Sequence, residues 1–134
     1  METTQATIGI KKDNRKAVVA MLGKLLADEY LLYTKLRNAH WNVEGIDFHT
    51  KHVFLNEFLK LSHLKDESPK KNDSSSFMEV LLEDHETIIK FIRKSISENA
   101  EEHNDEGTAD FITGIMQLHE QMSWMLRASL KTFK

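Results

Sequence analysis

Residues that break helices are rare along this chain. One proline, Pro69, and five glycines are spread through 134 residues, and both residue types disfavour the interior of a helix. Apolar residues recur at intervals of three and four, which is the period of an α-helix with one buried face. No stretch shows the alternation of a half-buried strand. The sequence therefore predicts an all-α fold built from a few long helices.

The first two predicted helices are joined by a short turn. A cap at Asp13 or Asn14 opens a helix that runs to about His40. Its broad apolar face comprises Val18, Leu22, Leu25, Leu32 and Leu36, with Val19, Leu26, Tyr30 and Tyr33 alongside. After the turn 41–47, which contains Gly45, a shorter helix covers about 48–64. Its candidate core residues are Phe54, Leu55, Phe58, Leu61 and Leu64.

The third and fourth predicted helices follow a polar linker at residues 65–75, which contains Pro69. Ser76 and Glu79 have the spacing of a capping box at the start of the third helix. An acidic turn at 101–107 then leads to a fourth helix capped by Thr108 or Asp105. The candidate core residues of these two helices are Phe77, Leu81, Ile88, Ile92 and Ile96, then Phe111, Ile115, Met122, Met125, Leu126 and Leu130.

Three long helices and one short helix favour a four-helix bundle. A chain of 134 residues fits one domain with a real core. We therefore expect a single domain over residues 1–134, with residues 1–12 as a flexible tail.

Composition excludes several classes of function. The chain has no cysteine, which excludes disulfides, zinc–thiolate sites and thiol catalysis. Neither a signal peptide nor a membrane span is indicated, so a cytoplasmic protein is expected. The formal net charge is −3, which disfavours a strongly DNA-binding surface because phosphate contacts need concentrated lysine and arginine. The one basic cluster, Lys11, Lys12, Arg15 and Lys16, is interpreted as a solvated helix start.

Seven histidines and 21 carboxylates make metal binding worth examining. His40 closes the first predicted helix and His52 lies near the start of the second, so an antiparallel hairpin can bring both imidazoles together. Imidazoles with carboxylates suit iron in a site that keeps open positions. The alternative is that each is a hydrogen-bonded, half-buried histidine. His85 and His119 fall on apolar faces and are predicted to be core residues.

Other polar and sulfur side chains have simpler interpretations. His49, His63 and His103 have polar neighbours and are predicted to face solvent. Asp28 and Glu29 lie among apolar residues of the first helix, where a solvated position is favoured over a site. The methionines at 116, 122 and 125 are predicted to pack in the core, because methionine fills irregular gaps.

Two regions carry distinctive motifs. Residues 31–45 read LLYTKLRNAHWNVEG and are followed by Phe48 and by His52-Val53-Phe54. Residues 105–110 read DEGTAD and residues 119–127 read HEQMSWMLR. The block His-Trp-Asn-x-x-Gly with a second histidine is the most specific of these motifs. Together the two regions resemble the Dps mini-ferritins, a branch of the ferritin-like proteins.

The resemblance implies a function as well as a fold. Subunits of that family are four-helix bundles that assemble into a hollow shell of twelve, and ferrous iron is oxidised by peroxide or oxygen at sites shared between subunits. His40 and His52 would be iron ligands and catalytic residues, with Trp41 beside the centre. Asp105 and Asp110 would line an acidic pore for iron entry, since carboxylates attract and bind hard cations.

The chain departs from the family pattern after Phe54. In relatives the second helix continues and supplies an Asp and a Glu that complete the iron site from the neighbouring subunit, but this segment is absent here. Glu57, Asp66 and Glu67 are available carboxylates to which no motif assigns the role. Weaker iron binding and slower oxidation are therefore expected. The alternative is a non-enzymatic, shell-forming bundle, and DNA binding is a third and less favoured function.

Overall fold

The computed structural model describes residues 8–58 and 73–131, with the backbone alone for residues 56–58. It contains α1 Lys12–Asn42, α2 Phe48–Phe58, α3 Ser74–Ser97 and α4 Glu106–Lys131, and a π-helical turn Glu98–Glu102 extends α3. Within these ranges the only strand-like pairing is an isolated bridge between Glu44 and Asp73. The predicted all-α bundle with a short second helix is confirmed. Residues 1–7 of the predicted tail, His63 and most of the predicted linker lie outside the described residues.

Contacts at the two ends of the bundle establish the helix directions. At one end, the Asn14 side chain on α1 donates to the carbonyl of His103, beyond α3, at 3.0 Å. At the other end, the Ser74 hydroxyl at the start of α3 donates to Asp47 in the α1–α2 turn at 2.8 Å. The helix α1 therefore spans the bundle, α2 and α3 both run back from the turn, and α4 is antiparallel to α3. At 1.5 Å per residue, the 11 residues of α2 extend about 16 Å.

The core is formed by apolar side chains from all four helices. On α1, the predicted residues Val18, Leu25, Leu32 and Leu36 are buried. On α3 and α4, Phe77, Leu81, Ile88, Ile92, Met116, Met122 and Leu126 are buried as well. Among the described residues, no helix is long and apolar enough to cross a membrane.

Four of the predicted apolar-face positions are exposed instead of buried, because helix geometry places neighbouring residues on different faces. Val19, Leu26 and Tyr30 on α1 are 67%, 70% and 73% exposed. Each follows a buried or half-buried residue by one position, which rotates the side chain by about 100° away from the core. For the same reason Phe111 on α4 is exposed, and its neighbour Ile112 is buried instead.

The helix starts correct two predicted caps and confirm one. Lys11 precedes α1 without a capping bond, so neither Asp13 nor Asn14 is the cap. Asp73, not Ser76, caps α3, because its carboxylate accepts the backbone N–H of Ser76 at 3.0 Å. Of the two predicted caps of α4, Thr108 and Asp105, the structure selects Asp105, which accepts the backbone N–H of Thr108 at 3.0 Å.

A layer of buried polar groups crosses the middle of the bundle. Lys35 on α1 forms an ion pair with Asp84 on α3 at 2.9 Å. The Nδ1 atoms of His85 and His119 lie 2.8 Å apart, and His119 Nε2 lies 3.4 Å from the Glu29 carboxylate. Both histidines are fully buried, as predicted, but the half-buried position of Glu29 against His119 was not predicted.

The two imidazoles can share only one hydrogen in the bond between them. If both Nδ1 atoms carried a proton, two N–H groups would face each other at 2.8 Å. Burial, reinforced by the charge of His119, lowers the pKa of His85 to about 3. Burial also lowers the pKa of His119 to about 4. The pair is therefore neutral in the folded protein at neutral and mildly acidic pH.

This pair predicts a loss of stability in mild acid. Below about pH 6.5 the unfolded histidines take up protons that the folded ones cannot, down to about pH 4. Two such groups should lower the free energy of unfolding by roughly 2–3 kcal/mol per pH unit in this window. Urea unfolding at a series of pH values measures this slope.

The double variant His85→Leu/His119→Leu should show a much shallower slope between pH 6.5 and pH 4 than the parent protein. The variant His49→Gln is the control, because His49 is an exposed histidine on α2 that lies outside the buried pair. Equal slopes in the parent and the double variant would show that the buried pair does not control acid stability.

Candidate metal centre

The turn between α1 and α2 is closed around a glycine. Gly45 has φ +125°, a conformation that side chains with a Cβ rarely adopt. Its carbonyl accepts the backbone N–H of Phe48 at 3.1 Å, at the first residue of α2. Val43, two residues before Gly45, is buried in the core. The turn therefore fixes how the last residues of α1 face the first residues of α2.

His40 and His52 meet across this turn, as predicted. Their ring centroids are 3.7 Å apart and their planes are inclined by 31°. The Nδ1 atom of His52 lies 2.9 Å from the backbone carbonyl oxygen of His40. A carbonyl can only accept, so Nδ1 of His52 carries the hydrogen and donates it. In the neutral ring, Nε2 of His52 then keeps the lone pair that a metal ion requires.

His40 is also held in a form suited to metal binding. Burial lowers its pKa, with smaller contributions from His52 and from Arg37. Its Nδ1 atom is buried and has no hydrogen-bond partner in the described structure. A buried nitrogen of this kind is costly unless another group supplies a partner. The pair therefore fits a site that is completed by an ion and by groups from elsewhere.

The surroundings of the histidine pair are aromatic and largely exposed. Trp41 packs edge-on against the His40 ring at 5.6 Å between centroids, and it is 68% exposed. The Phe48 ring lies 5.2 Å from the His52 ring on the other side. The structure thus places Trp41 against His40, while a direct contact of Trp41 with a metal stays a prediction.

The described residues do not complete a metal site by themselves. No group of three His, Asp or Glu side chains with the geometry to hold a metal ion occurs among them. Asp47, in the turn, uses one carboxylate oxygen to accept from Ser74 at 2.8 Å. The Glu57 side chain, Asp66 and Glu67 lie outside the described part of the chain.

Asp105 and Asp110 lie at the opposite end of the bundle. Both carboxylate oxygens of Asp105 are engaged by Thr108, through its backbone N–H at 3.0 Å and its hydroxyl at 2.8 Å. Asp110, one turn further along α4, is exposed. The structure therefore separates these acids from the histidine pair by most of the length of α1.

Sequence reasoning missed the group that orients His52. Its partner is the backbone carbonyl of His40, twelve residues earlier. No residue type reports such a bond, because every residue carries a carbonyl. The available signal was the glycine at position 45 between two predicted helices, since glycine favours a tight turn that brings the two helix ends together.

The variant Gly45→Ala should destabilise the hairpin by about 1–3 kcal/mol, because alanine is strained at this φ. Its Cβ would also lie 3.3 Å from the Asp47 carboxylate. Urea unfolding measures the loss. Gly23→Ala is the matched control, because Gly23 lies within α1 with open space around it and should gain stability. Equal stability of Gly45→Ala and the parent would contradict this account of the turn.

Comparisons with known proteins agree on the fold and family. The family model of the ferritin-like domain matches residues 57–134. A low temperature-induced protein of Nostoc sp. (strain PCC 7120) is 30% identical and is aligned over 92% of this chain and 86% of its own length. DNA protection during starvation protein 2 of Bacillus anthracis is 28% identical over 86% of this chain and 97% of its own length. The crystal structure of Dps from Vibrio cholerae O1 superposes with a TM-score of 0.82 at 21% identity, covering 97% of this chain and 99% of that one.

The alignments also bear on the segment expected to be missing. The alignment with the Nostoc protein spans 153 positions but holds only about 123 residues of this chain, which are 92% of its 134. The alignment with the Bacillus protein spans 144 positions and holds about 115 residues, which are 86%. About 30 positions in each case have no counterpart here, and that the segment after Phe54 accounts for them stays a prediction.

Three findings lead to one assignment. A family model matches more than half of the sequence, relatives align with nearly the whole chain, and the fold is a four-helix bundle. This chain belongs to the ferritin-like family, as a mini-ferritin of the Dps type.

Proposed function

We propose that this chain binds ferrous iron at His40 and His52, supports its oxidation by peroxide or oxygen, and stores the ferric product within a shell of identical subunits. The observation that supports this most strongly is the hydrogen bond from His52 Nδ1 to the His40 carbonyl at 2.9 Å. It holds the ring in one tautomer and one orientation, which is how metal-binding histidines are commonly prepared.

The chemistry of the pair suits iron as a substrate. Imidazole binds Fe²⁺ well, and a site with few protein ligands leaves positions for an oxidant. In the overall reaction, two ferrous ions each give one electron to one peroxide molecule. Neutral imidazoles do not balance the charge of the cation, so carboxylates are needed to complete the site. We propose that they come from a second subunit or from the residues between α2 and α3.

The exposed apolar surface supports assembly with other copies. Around the histidine pair, Trp41, Ile46, Phe48 and Val53 are exposed. Along α1, the stripe Val19, Leu26 and Tyr30 is exposed as well. Large apolar side chains exposed in groups are typical of surfaces that another protein covers. A shell of twelve subunits that buries these residues would place the histidine pair at a subunit boundary.

The alternative is a bundle that assembles without oxidising iron. Two observations favour it: about 30 positions of the relatives are not represented here, and the described residues supply no third ligand near the pair. In this alternative His40 and His52 would be a structural pair that closes the α1–α2 hairpin.

Oxidation kinetics distinguish the two proposals. Ferrous iron added anaerobically and then pulsed with peroxide should be oxidised by the parent protein faster than in buffer. The double variant His40→Ala/His52→Ala should be slower by at least about 10-fold, since losing even a group that only orients a metal ligand typically costs 10- to 100-fold. Absorbance of the ferric product measures the initial rate.

The control for this experiment is His49→Ala, because His49 lies on the same helix, is exposed and is not part of the pair. It should react like the parent protein. If parent, control and double variant all match buffer, the oxidation proposal fails and the assembly alternative is favoured. Unchanged rapid oxidation in the double variant would place the chemistry elsewhere in the chain.

Iron entry at the α4 end is a separate part of the proposal. Asp110 is exposed near the start of α4, whereas Asp105 is already committed to capping that helix. The variant Asp110→Asn should therefore slow iron uptake at limiting iron while leaving the unfolding free energy unchanged within about 0.5 kcal/mol. Stopped-flow uptake and urea unfolding measure the two quantities. An unchanged uptake rate would remove Asp110 from the entry path.

A further inference from the structure

A cleft of about 430 Å³ lies between α3 and α4, away from the histidine pair of the α1–α2 hairpin. Its lining residues are Glu86, Ile89, Lys90, Arg93, Glu120, Ser123 and Arg127. The volume falls within the range of small-molecule sites in proteins. None of these residues takes part in the proposed iron chemistry, so the cleft requires its own explanation.

Two ion pairs bridge the helices along the cleft. Arg93 on α3 bonds to Glu120 on α4, and Arg127 on α4 bonds to Glu86 on α3 at 2.7 Å. On each helix the two members are seven residues apart, or about 10 Å along the axis. The middle of the cleft therefore lies between two guanidinium–carboxylate pairs.

Ser123 lies in this middle section and is unusual among the hydroxyl residues of the bundle. Its side chain is fully buried, yet its Oγ has no hydrogen-bond partner. Ser95, also buried, donates to the carbonyl four residues earlier at 3.0 Å, and Thr113 does the same at 2.7 Å. A buried hydroxyl without a partner is costly. The side chain of Ser123 thus retains a donor and acceptor for a group that enters the cleft.

The charges in the cleft favour an anion. Lys90, Arg93 and Arg127 outnumber the two carboxylates, and both carboxylates are already engaged by guanidinium groups. Lys90, between the ion pairs along α3, has no ion-pair partner among the described residues. Arginine and lysine are suited to oxyanions, because they offer several N–H donors and a positive charge.

We propose that the α3–α4 cleft binds a small organic or inorganic oxyanion with two or more charged groups, held by Lys90, Arg93, Arg127 and the Ser123 hydroxyl. The volume exceeds that of a single phosphate, so the class comprises pyrophosphate, phosphate esters and di- or tricarboxylates. In this proposal the ligand reaches the buried Ser123 hydroxyl when the long side chains of the cleft move aside. The two arginines then turn toward the ligand the N–H groups that their carboxylate partners do not use.

Calorimetric titration with pyrophosphate and, separately, with citrate tests the proposal at constant ionic strength. At least one probe should bind saturably to the parent protein. Ser123→Ala should weaken it about ten-fold, the effect of losing one hydrogen bond to a charged group, and Lys90→Gln should weaken it similarly. Binding of pyrophosphate alone would identify a phosphate ligand, and binding of citrate alone would identify a carboxylate.

The matched control is Lys94→Gln, because Lys94 lies one turn further along α3 and pairs with Glu98 at 3.4 Å outside the cleft. It should bind the probe like the parent protein. An equal loss of affinity in Lys94→Gln would mean diffuse attraction rather than a site. No saturable binding of either probe up to about 10 mM, or full affinity in both Ser123→Ala and Lys90→Gln, would overturn the proposal. Alanine is a good helix former, so Ser123→Ala should fold and leave the test valid.

Discussion

The hydrogen bond from His52 to the carbonyl of His40 depends on the turn at Gly45, and the candidate site depends on that bond. If the turn opened, the two imidazoles would belong to separate helices with no fixed relation. With the turn closed, one ring nitrogen of His52 is committed at 2.9 Å and the other is left for a ligand. The backbone geometry of the turn therefore orients the His52 ring, and the residue type supplies the nitrogen that can bind a metal.

The bundle separates two uses of histidine that look alike in sequence. His85 and His119 are fully buried in the middle of the bundle, next to Glu29 and close to the Lys35–Asp84 ion pair. His40 and His52 are half-buried at its end, where apolar surface is exposed around them. Burial makes the first pair a source of acid sensitivity. Exposure at an apolar surface makes the second pair accessible to an ion and to another subunit.

Much of this arrangement could be predicted from sequence, and the exceptions have physical causes. The sparse helix breakers and the spacing of Val18, Leu25, Leu32 and Leu36 predict α1 and its buried face. The spacing does not show that Val19 and Leu26 lie on a second, exposed stripe of α1. That stripe is apolar like the buried one beside it, so the residue types alone do not distinguish the two. Likewise, Asp73 and Ser76 both have residue types that cap helices, and only the backbone geometry selects Asp73.

For the candidate site, sequence identified the two histidines but not what surrounds them. The two imidazoles come together because a short turn joins antiparallel helices, and Gly45 in the sequence indicates that turn. The carboxylates that would complete the site cannot be identified by the same reasoning, because the segment that supplies them in relatives is absent and no motif assigns the role to Glu57, Asp66 or Glu67. The cleft between α3 and α4 was also not predicted, since its lining residues are individually ordinary surface charges.

Anaerobic titration with Co²⁺, followed by the visible absorption of the bound ion, tests the central claim most directly. Cobalt accepts imidazole ligands as iron does but is not oxidised by the assay. If the hairpin presents a prepared half-site, the parent protein and His49→Ala should bind cobalt saturably, and His52→Ala should lose that binding. Identical titrations of all three proteins would contradict the account and leave His40 and His52 as a structural pair.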